Sequence, residues 1–100
     1  MLEEFIEWAK SVTKDQMPDL LKTEITIGNE SDNRGARLDI DTSSAIARIT
    51  CWQSGDYEAE ILDFESGLQT YAQRGQLRDG VAIPVVFLPF LTSLLVNSKK

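Results

Sequence analysis

The sequence contains no histidine, and its 100 residues include a single cysteine, Cys51. Without imidazole there can be no Ser-His or Cys-His dyad, no histidine general base and no histidine metal ligand. One thiol cannot form an internal disulfide, and without histidine it cannot build an ordinary structural zinc site within one chain. We therefore expect no cofactor, and we interpret Cys51 as a small core residue.

The sequence also lacks a recognisable secretory signal. Residues 1–5 are acidic where a signal peptide is basic, and small proteins of oxidising compartments usually carry several cysteines. The apolar run Val81–Val96 contains two prolines and has 16 residues, short of the about 20 that a membrane-spanning helix needs. Cytoplasm is the expected location. A C-terminal tail anchor, with Lys99 and Lys100 following the run, is the alternative.

The composition indicates one globular domain, residues 1–100. The chain is 42% hydrophobic and 26% charged, which is ordinary for a folded protein and argues against disorder. A hundred residues suffice for one core. The glycines are dispersed, and the sequence shows no phosphate loop, calcium-binding loop or nucleophile elbow. We predict that the protein is not an enzyme.

The negative charge is concentrated in one segment. The net charge is −6, and between Asp39 and Glu65 seven acids accompany one base, Arg48, whereas the rest of the chain has nine acids and nine bases. This balance disfavours nucleic acid and anionic membranes as partners, because both repel carboxylates. It favours a basic protein partner.

The hydrophobic pattern predicts an α+β fold: an N-terminal helix, an antiparallel meander of four to five strands, and a C-terminal helix. Apolar residues at helical spacing predict the first helix from about residue 2 to 15, ending before Pro18. Alternation and turn signals predict strands at 22–28, 37–41, 45–53, 57–63 and 68–73, with loops at 29–35 and 74–80. The last apolar run predicts a buried helix that begins near Pro84 or Pro89. Both helices are expected to cover one face of the sheet.

Strand alternation sends one set of side chains to the uncovered face of the sheet. From this set we predict a partner-binding site formed by Asp39, Asp41, Arg48, Trp52, Glu58, Glu60 and Leu62. The simpler interpretation is a solvated face on which Arg48 pairs with a neighbouring carboxylate. Trp52 favours a binding function, because large aromatic side chains dominate many protein interfaces.

Three consecutive motifs resemble a known family. They are the strand Ala45–Trp52 with its glycine hairpin, the acidic strand Glu58–Asp63, and the second glycine turn Glu65–Gly67. Together with Arg37–Asp39 and the amphipathic first helix, they resemble immunity proteins of bacterial polymorphic-toxin systems, most nearly the TriTu-type immunity family. The resemblance implies a cytoplasmic protein that binds a secreted toxin and keeps it inactive. The implied toxin is an ADP-ribosyltransferase delivered by a type VI secretion system, and no catalytic residues are implied for the chain.

The leading hypothesis is an immunity protein that occludes the active site of its toxin with the acidic surface of the third and fourth strands. We expect the toxin domain to carry a basic cleft, since opposite potentials speed association. The free protein is expected to be a monomer or a weak homodimer. The alternative is a secretion chaperone or adaptor that dimerises through Val81–Val96, and a third possibility is a small-molecule-binding or enzymatic domain with a deep pocket.

Overall fold

The computed structural model describes residues 2–12, 22–28 and 33–98, and of residues 95–98 it describes the backbone. The end of the predicted first helix at 13–15, Pro18, most of the loop at 29–35 and the two terminal lysines lie outside the described residues. The elements in order are α1 (Leu2–Ser11), β1 (Lys22–Ile27), β2 (Gly35–Asp41), β3 (Ala45–Trp52), β4 (Asp56–Asp63), β5 (Gln69–Gln76), α2 (Ile83–Val86) and α3 (Leu88–Ser98). The predicted α+β fold is confirmed.

Helix α1 is amphipathic and packs through one face. Its buried residues recur every three or four positions and are Leu2, Phe5, Trp8 and Ala9. Two of its three acids, Glu3 and Glu4, lie in the first turn and its base, Lys10, in the last, as the helix dipole favours. The ring of Trp8 lies 5.0 Å from that of Phe87, between centroids, so this aromatic residue belongs to the core.

The five strands form one sheet in sequence order, and each pair of neighbours is antiparallel. Burial alternates residue by residue along β2, β3 and β4, which is the two-residue period of a half-covered sheet. The inward side chains on these strands include Leu38, Ile40, Ala47, Ile49, Cys51, Tyr57, Ala59 and Ile61. Cys51 is fully buried, in agreement with its interpretation as a core residue.

Strand β5 is longer than the sequence predicts. It spans Gln69–Gln76, so the prediction of a strand at 68–73 and a loop from residue 74 is wrong at this end. Arg74 pairs with Glu58, and Gly75 pairs with Tyr57. The ladder continues through a polar, glycine-containing stretch because β4 offers it hydrogen-bonding partners, and this tertiary pairing overrides weak local propensity.

Two helices take the place of the single C-terminal helix that the sequence predicts. Each has a proline in its first turn, Pro84 in α2 and Pro89 in α3. Proline has no amide hydrogen, so Pro89 cannot donate to the carbonyl of Val85, and the chain ends one helix and starts another. The amide of Leu91 then donates to the carbonyl of Phe87 at 3.1 Å.

Both longer helices lie on the same face of the sheet, as predicted. Helix α1 contacts β1, β2 and β3, and α3 contacts β3, β4 and β5. Phe87, Phe90 and Leu94 are fully buried. Much of the apolar C-terminal run therefore fills the core of one chain. Within the part of the chain that the structure describes, no helix combines the length and the apolarity needed to cross a membrane.

Candidate functional site on the open sheet face

The face of the sheet opposite the helices carries three cross-strand rows of side chains, which we call the outer face. Cross-strand neighbours on one face of an antiparallel sheet are close enough to interact. The rows are Lys22, Asp41, Ile46, Leu62 and Gln69; Glu24, Asp39, Arg48, Glu60 and Ala72; and Thr26, Arg37, Thr50, Glu58 and Arg74. Six of the seven residues predicted as a binding site lie in these rows. The seventh, Trp52, lies beyond the third row, opposite Gly35.

Asp39 is the centre of the charged network on the outer face. Its Oδ2 accepts a hydrogen bond from Nε of Arg37, and its Oδ1 accepts one from Nε of Arg48, both at 2.8 Å. The hydrogen bond with Asp39 raises the pKa of Arg48, and the charge of Glu60 acts in the same direction. Arg48 thus pairs with a neighbouring carboxylate across the strands, as in the simpler interpretation of the sequence.

The outer face is less acidic than the −6 segment that crosses it. Its three rows hold the carboxylates of Glu24, Asp39, Asp41, Glu58 and Glu60, and the cations of Lys22, Arg37, Arg48 and Arg74. Three of these cations lie outside the −6 segment, and strand pairing brings two of them, Lys22 and Arg74, beside its carboxylates. Nη2 of Arg74, for example, lies 3.1 Å from Oε1 of Glu58. The outer face is therefore a nearly balanced mosaic of opposite charges.

Trp52 lies at the edge of the outer face and has a structural contact. A Cβ atom on Gly35 would lie 3.2 Å from Cδ1 of Trp52, so the indole packs closely over the glycine of the neighbouring strand. An aromatic side chain that covers a cross-strand glycine shields an otherwise bare stretch of backbone. The indole is consequently half-buried, less exposed than a free interface anchor would be.

Two shallow hollows lie on either side of Ile46 and Arg48. The larger has a volume of about 430 Å³ and is lined by Ile46, Arg48, Glu60, Ile61, Leu62 and Gln69. The smaller has a volume of about 270 Å³ and is lined by Lys22, Glu24, Asp39, Asp41, Ile46 and Arg48. Among the described residues, no group of three carboxylates or thiols is arranged to hold a metal ion. Both hollows open to solvent on the outer face.

Two apolar residues of this surface were missed by the sequence-based prediction. Ile46 is 37% exposed and Phe64 is 51% exposed, near Leu62 at 41%. Ile46 and Leu62 are direct cross-strand partners. The signal was available for Ile46, since it occupies an outward position between the inward residues Ala45 and Ala47. Phe64 directly follows a strand, where alternation gives a weaker indication.

A comparison with known protein families gives a match that includes the whole outer face. The sequence-family profile described as "Immunity protein TriTu" matches residues 3–92. The match begins in α1 and ends in α3, so it includes all five strands and all three rows of the outer face. A comparison with curated proteins found no match.

Proposed function

The chain belongs to the TriTu immunity protein family, and from that membership we propose that it neutralises a cognate toxin by covering the toxin's active site with the outer face. The observation that carries the proposal is the family match over residues 3–92. The geometry adds support, because the helices occupy one face of the sheet and leave the other, with its two hollows, accessible. A surface of this kind can bind another protein without any rearrangement of the core.

The proposed contact residues are Asp39, Asp41, Arg48, Trp52, Glu58, Glu60 and Leu62. Glu58 and Glu60 are exposed on β4 and would meet cations of a basic toxin cleft. Asp39 lies beside Arg48 on the neighbouring strand and accepts a hydrogen bond from its Nε. The other N–H groups of the guanidinium would then bond a carboxylate or carbonyl of the toxin. Leu62 supplies apolar area, and Trp52 marks the edge of the contact.

We further propose that the toxin is an ADP-ribosyltransferase delivered by a type VI secretion system, and that neutralisation takes place in the cytoplasm. The family resemblance supports these assignments. The chain itself acts by binding and has no catalytic role in this proposal.

The proposal predicts that a reading frame beside the gene for this chain encodes a secreted protein with a C-terminal toxin domain, and the test uses that domain. The chain is co-expressed with this domain to measure rescue of growth, and the purified pair is titrated by calorimetry. The variant Glu58→Lys/Glu60→Lys inverts charge on the outer face, and the matched control Glu3→Lys/Glu7→Lys makes the same change on exposed positions of α1.

We expect the wild type and the α1 control to protect and to bind equally well. The outer-face variant should lose at least about tenfold in affinity, because two lysines would repel the cations of a basic toxin cleft. A wild-type chain that neither binds nor protects would overturn the proposed function. Equal affinity of both variants would place the interface elsewhere on the molecule.

A further inference from the structure

Three exposed apolar side chains lie together at one end of the outer face, and we call Ile46, Leu62 and Phe64 the apolar corner. Ile46 faces Leu62 across β3 and β4. The amide of Phe64 donates to the carbonyl of Ser44 at 2.9 Å, which extends this ladder by one pair. Phe64 therefore follows Leu62 by one two-residue period and lies on the same face. Single exposed apolar residues are common, whereas a group of them beside a hollow is typical of an interaction site.

A bulge between β4 and β5 shapes the hollow beside the apolar corner. The register shifts between Ile61 and Leu62, and the shift sets Gln69 opposite Leu62. From there, Nε2 of Gln69 donates to Oε2 of Glu60 at 3.2 Å, and both residues line the 430 Å³ hollow. Bulges are found more often than expected beside functional sites, because they redirect a side chain without ending the sheet.

Carboxylates surround the apolar corner. Glu60 lines the hollow, Asp41 is the partner of Ile46 on β2, and Glu65 directly follows Phe64 in the turn. Two cations lie near the corner. Arg48 is hydrogen-bonded to Asp39, and Lys22 is the cross-strand partner of Asp41. The corner thus has an apolar centre and a rim on which three carboxylates outnumber two cations.

The remainder of the outer face is less suited to supply binding energy. Arg37 and Arg48 both bond Asp39, and Glu58 pairs with Arg74. A partner would have to remove water from these pairs while gaining little, since exposed pairs contribute weakly and burying them is costly. Apolar area inside a polar rim is the usual composition of an interface hot spot.

We propose that the apolar corner is the anchor of the toxin complex and receives an apolar side chain of the toxin that is flanked by lysine or arginine. The inference rests on the proposed function, since the toxin domain is the partner. The apolar side chain enters the hollow against Leu62 and Ile46 and packs beside Phe64. The flanking cations meet Glu60, Asp41 and Glu65, which gives the contact its register.

The experiment titrates purified variants with the same toxin domain. Ile46→Ser and Phe64→Ser remove apolar area from the corner. Val85→Ser and Leu88→Ser are the matched controls, because these side chains are also apolar and exposed, at 69% and 59%, but belong to the helical layer. The pair Phe64→Lys and Phe64→Glu then tests the sign of the partner's charge. Circular dichroism and thermal unfolding verify the fold of every variant.

We expect Phe64→Ser and Ile46→Ser to weaken binding at least about tenfold, with the controls within about twofold of the wild type. Phe64→Lys should bind more weakly than Phe64→Glu, because lysine repels the flanking cations. If the wild type binds the toxin domain and both serine variants of the corner bind as tightly, the inference is overturned while the proposed function stands. If the wild type does not bind, both are overturned. If Phe64→Lys and Phe64→Glu lose equal affinity, the part of the inference that places cations beside the apolar side chain of the toxin is overturned.

Discussion

The ring of Tyr57 lies against Gly75, its partner across β4 and β5. A Cβ atom at position 75 would lie 2.6 Å from Oη and 2.8 Å from Cζ of Tyr57. The ring cannot easily move away, because Phe87 meets it edge-on with 5.0 Å between centroids and Nε2 of Gln73 donates to its Oη at 3.0 Å. Space, and not an unusual backbone angle, requires glycine at this position.

Gly75→Ala should therefore destabilise the fold by about 2 kcal/mol, the usual cost of forcing extra volume into a packed site. The control is Gly67→Ala in the β4–β5 turn, where φ is +69° and nothing lies within 4 Å of the added atom. We expect Gly67→Ala to destabilise the fold by about 1 kcal/mol, from backbone strain alone. Urea unfolding of the two variants measures the difference. If Gly75→Ala loses less free energy of unfolding than Gly67→Ala, the ring of Tyr57 moves aside to accommodate the added methyl group.

The thiol of Cys51 predicts a stability change at alkaline pH. Burial raises its pKa from 9.0 to about 11. The folded state thus holds this proton more tightly than the unfolded chain, so the stability that it contributes is complete below about pH 9 and is lost between pH 9 and pH 11. Relative to Cys51→Ala, the wild type should lose about 2 kcal/mol over this window.

Urea unfolding of both proteins in reducing buffer, at several pH values from about 8 to about 11, measures that difference. The variant serves as the control for other groups that titrate in the same range, such as Tyr71, whose pKa is also raised by burial. Parallel stability curves for the two proteins would show that the thiol is not the group responsible.

The pair Arg48–Asp39 predicts a measurable coupling within the outer face. A double-mutant cycle with Arg48→Ala and Asp39→Ala should give about 0.5–1 kcal/mol, reduced by salt, because both side chains are partly exposed. The exposed helical pair Glu7–Lys10, with N and O 3.8 Å apart, is the control and should give a value near zero. If the coupling energy of Arg48–Asp39 is as small as that of Glu7–Lys10, Asp39 does not fix the position of the guanidinium.

The sequence predicted most of the inward side of the sheet, because a two-residue period is a local property. Ile49 and Ile61 could be assigned to the core from their own strands, without knowing any partner. The end of β5 could not be predicted in this way. Gly75 and its polar neighbours have little strand propensity, and they are held in the sheet by β4 and by the ring of Tyr57.

The near balance of charge on the outer face could not be predicted from the sequence, for a related reason. A count along the chain assigns each charge to its segment, whereas the sheet groups charges by register. Lys22 and Arg74 are remote from the −6 segment in sequence, and strand pairing makes them neighbours of its carboxylates Asp41 and Glu58. Arg37 lies two residues before the segment and contacts Asp39 along the same strand. The position of Asp39 between two arginines likewise depends on the pairing of β2 with β3.

The balanced charge of the outer face and its apolar corner predict different effects on the two rate constants of toxin binding. Neutralising Glu58 and Glu60 to glutamine should lower the association rate constant by less than about threefold, since the mosaic of opposite charges has a weak net field. The remaining steering comes from the net charge of the chain and should diminish as salt rises from about 50 mM to about 500 mM. Phe64→Ser should leave association unchanged.

Phe64→Ser should instead raise the dissociation rate constant about tenfold or more, because short-range apolar contacts form after encounter and determine how long the complex lasts. Stopped-flow association and surface-based dissociation with the neighbouring toxin domain separate the two constants. A large fall in association for the glutamine variant, with unchanged dissociation for Phe64→Ser, would reverse the assignment. It would mean that charge on β4 controls the formation of the complex and that the apolar corner does not control its lifetime.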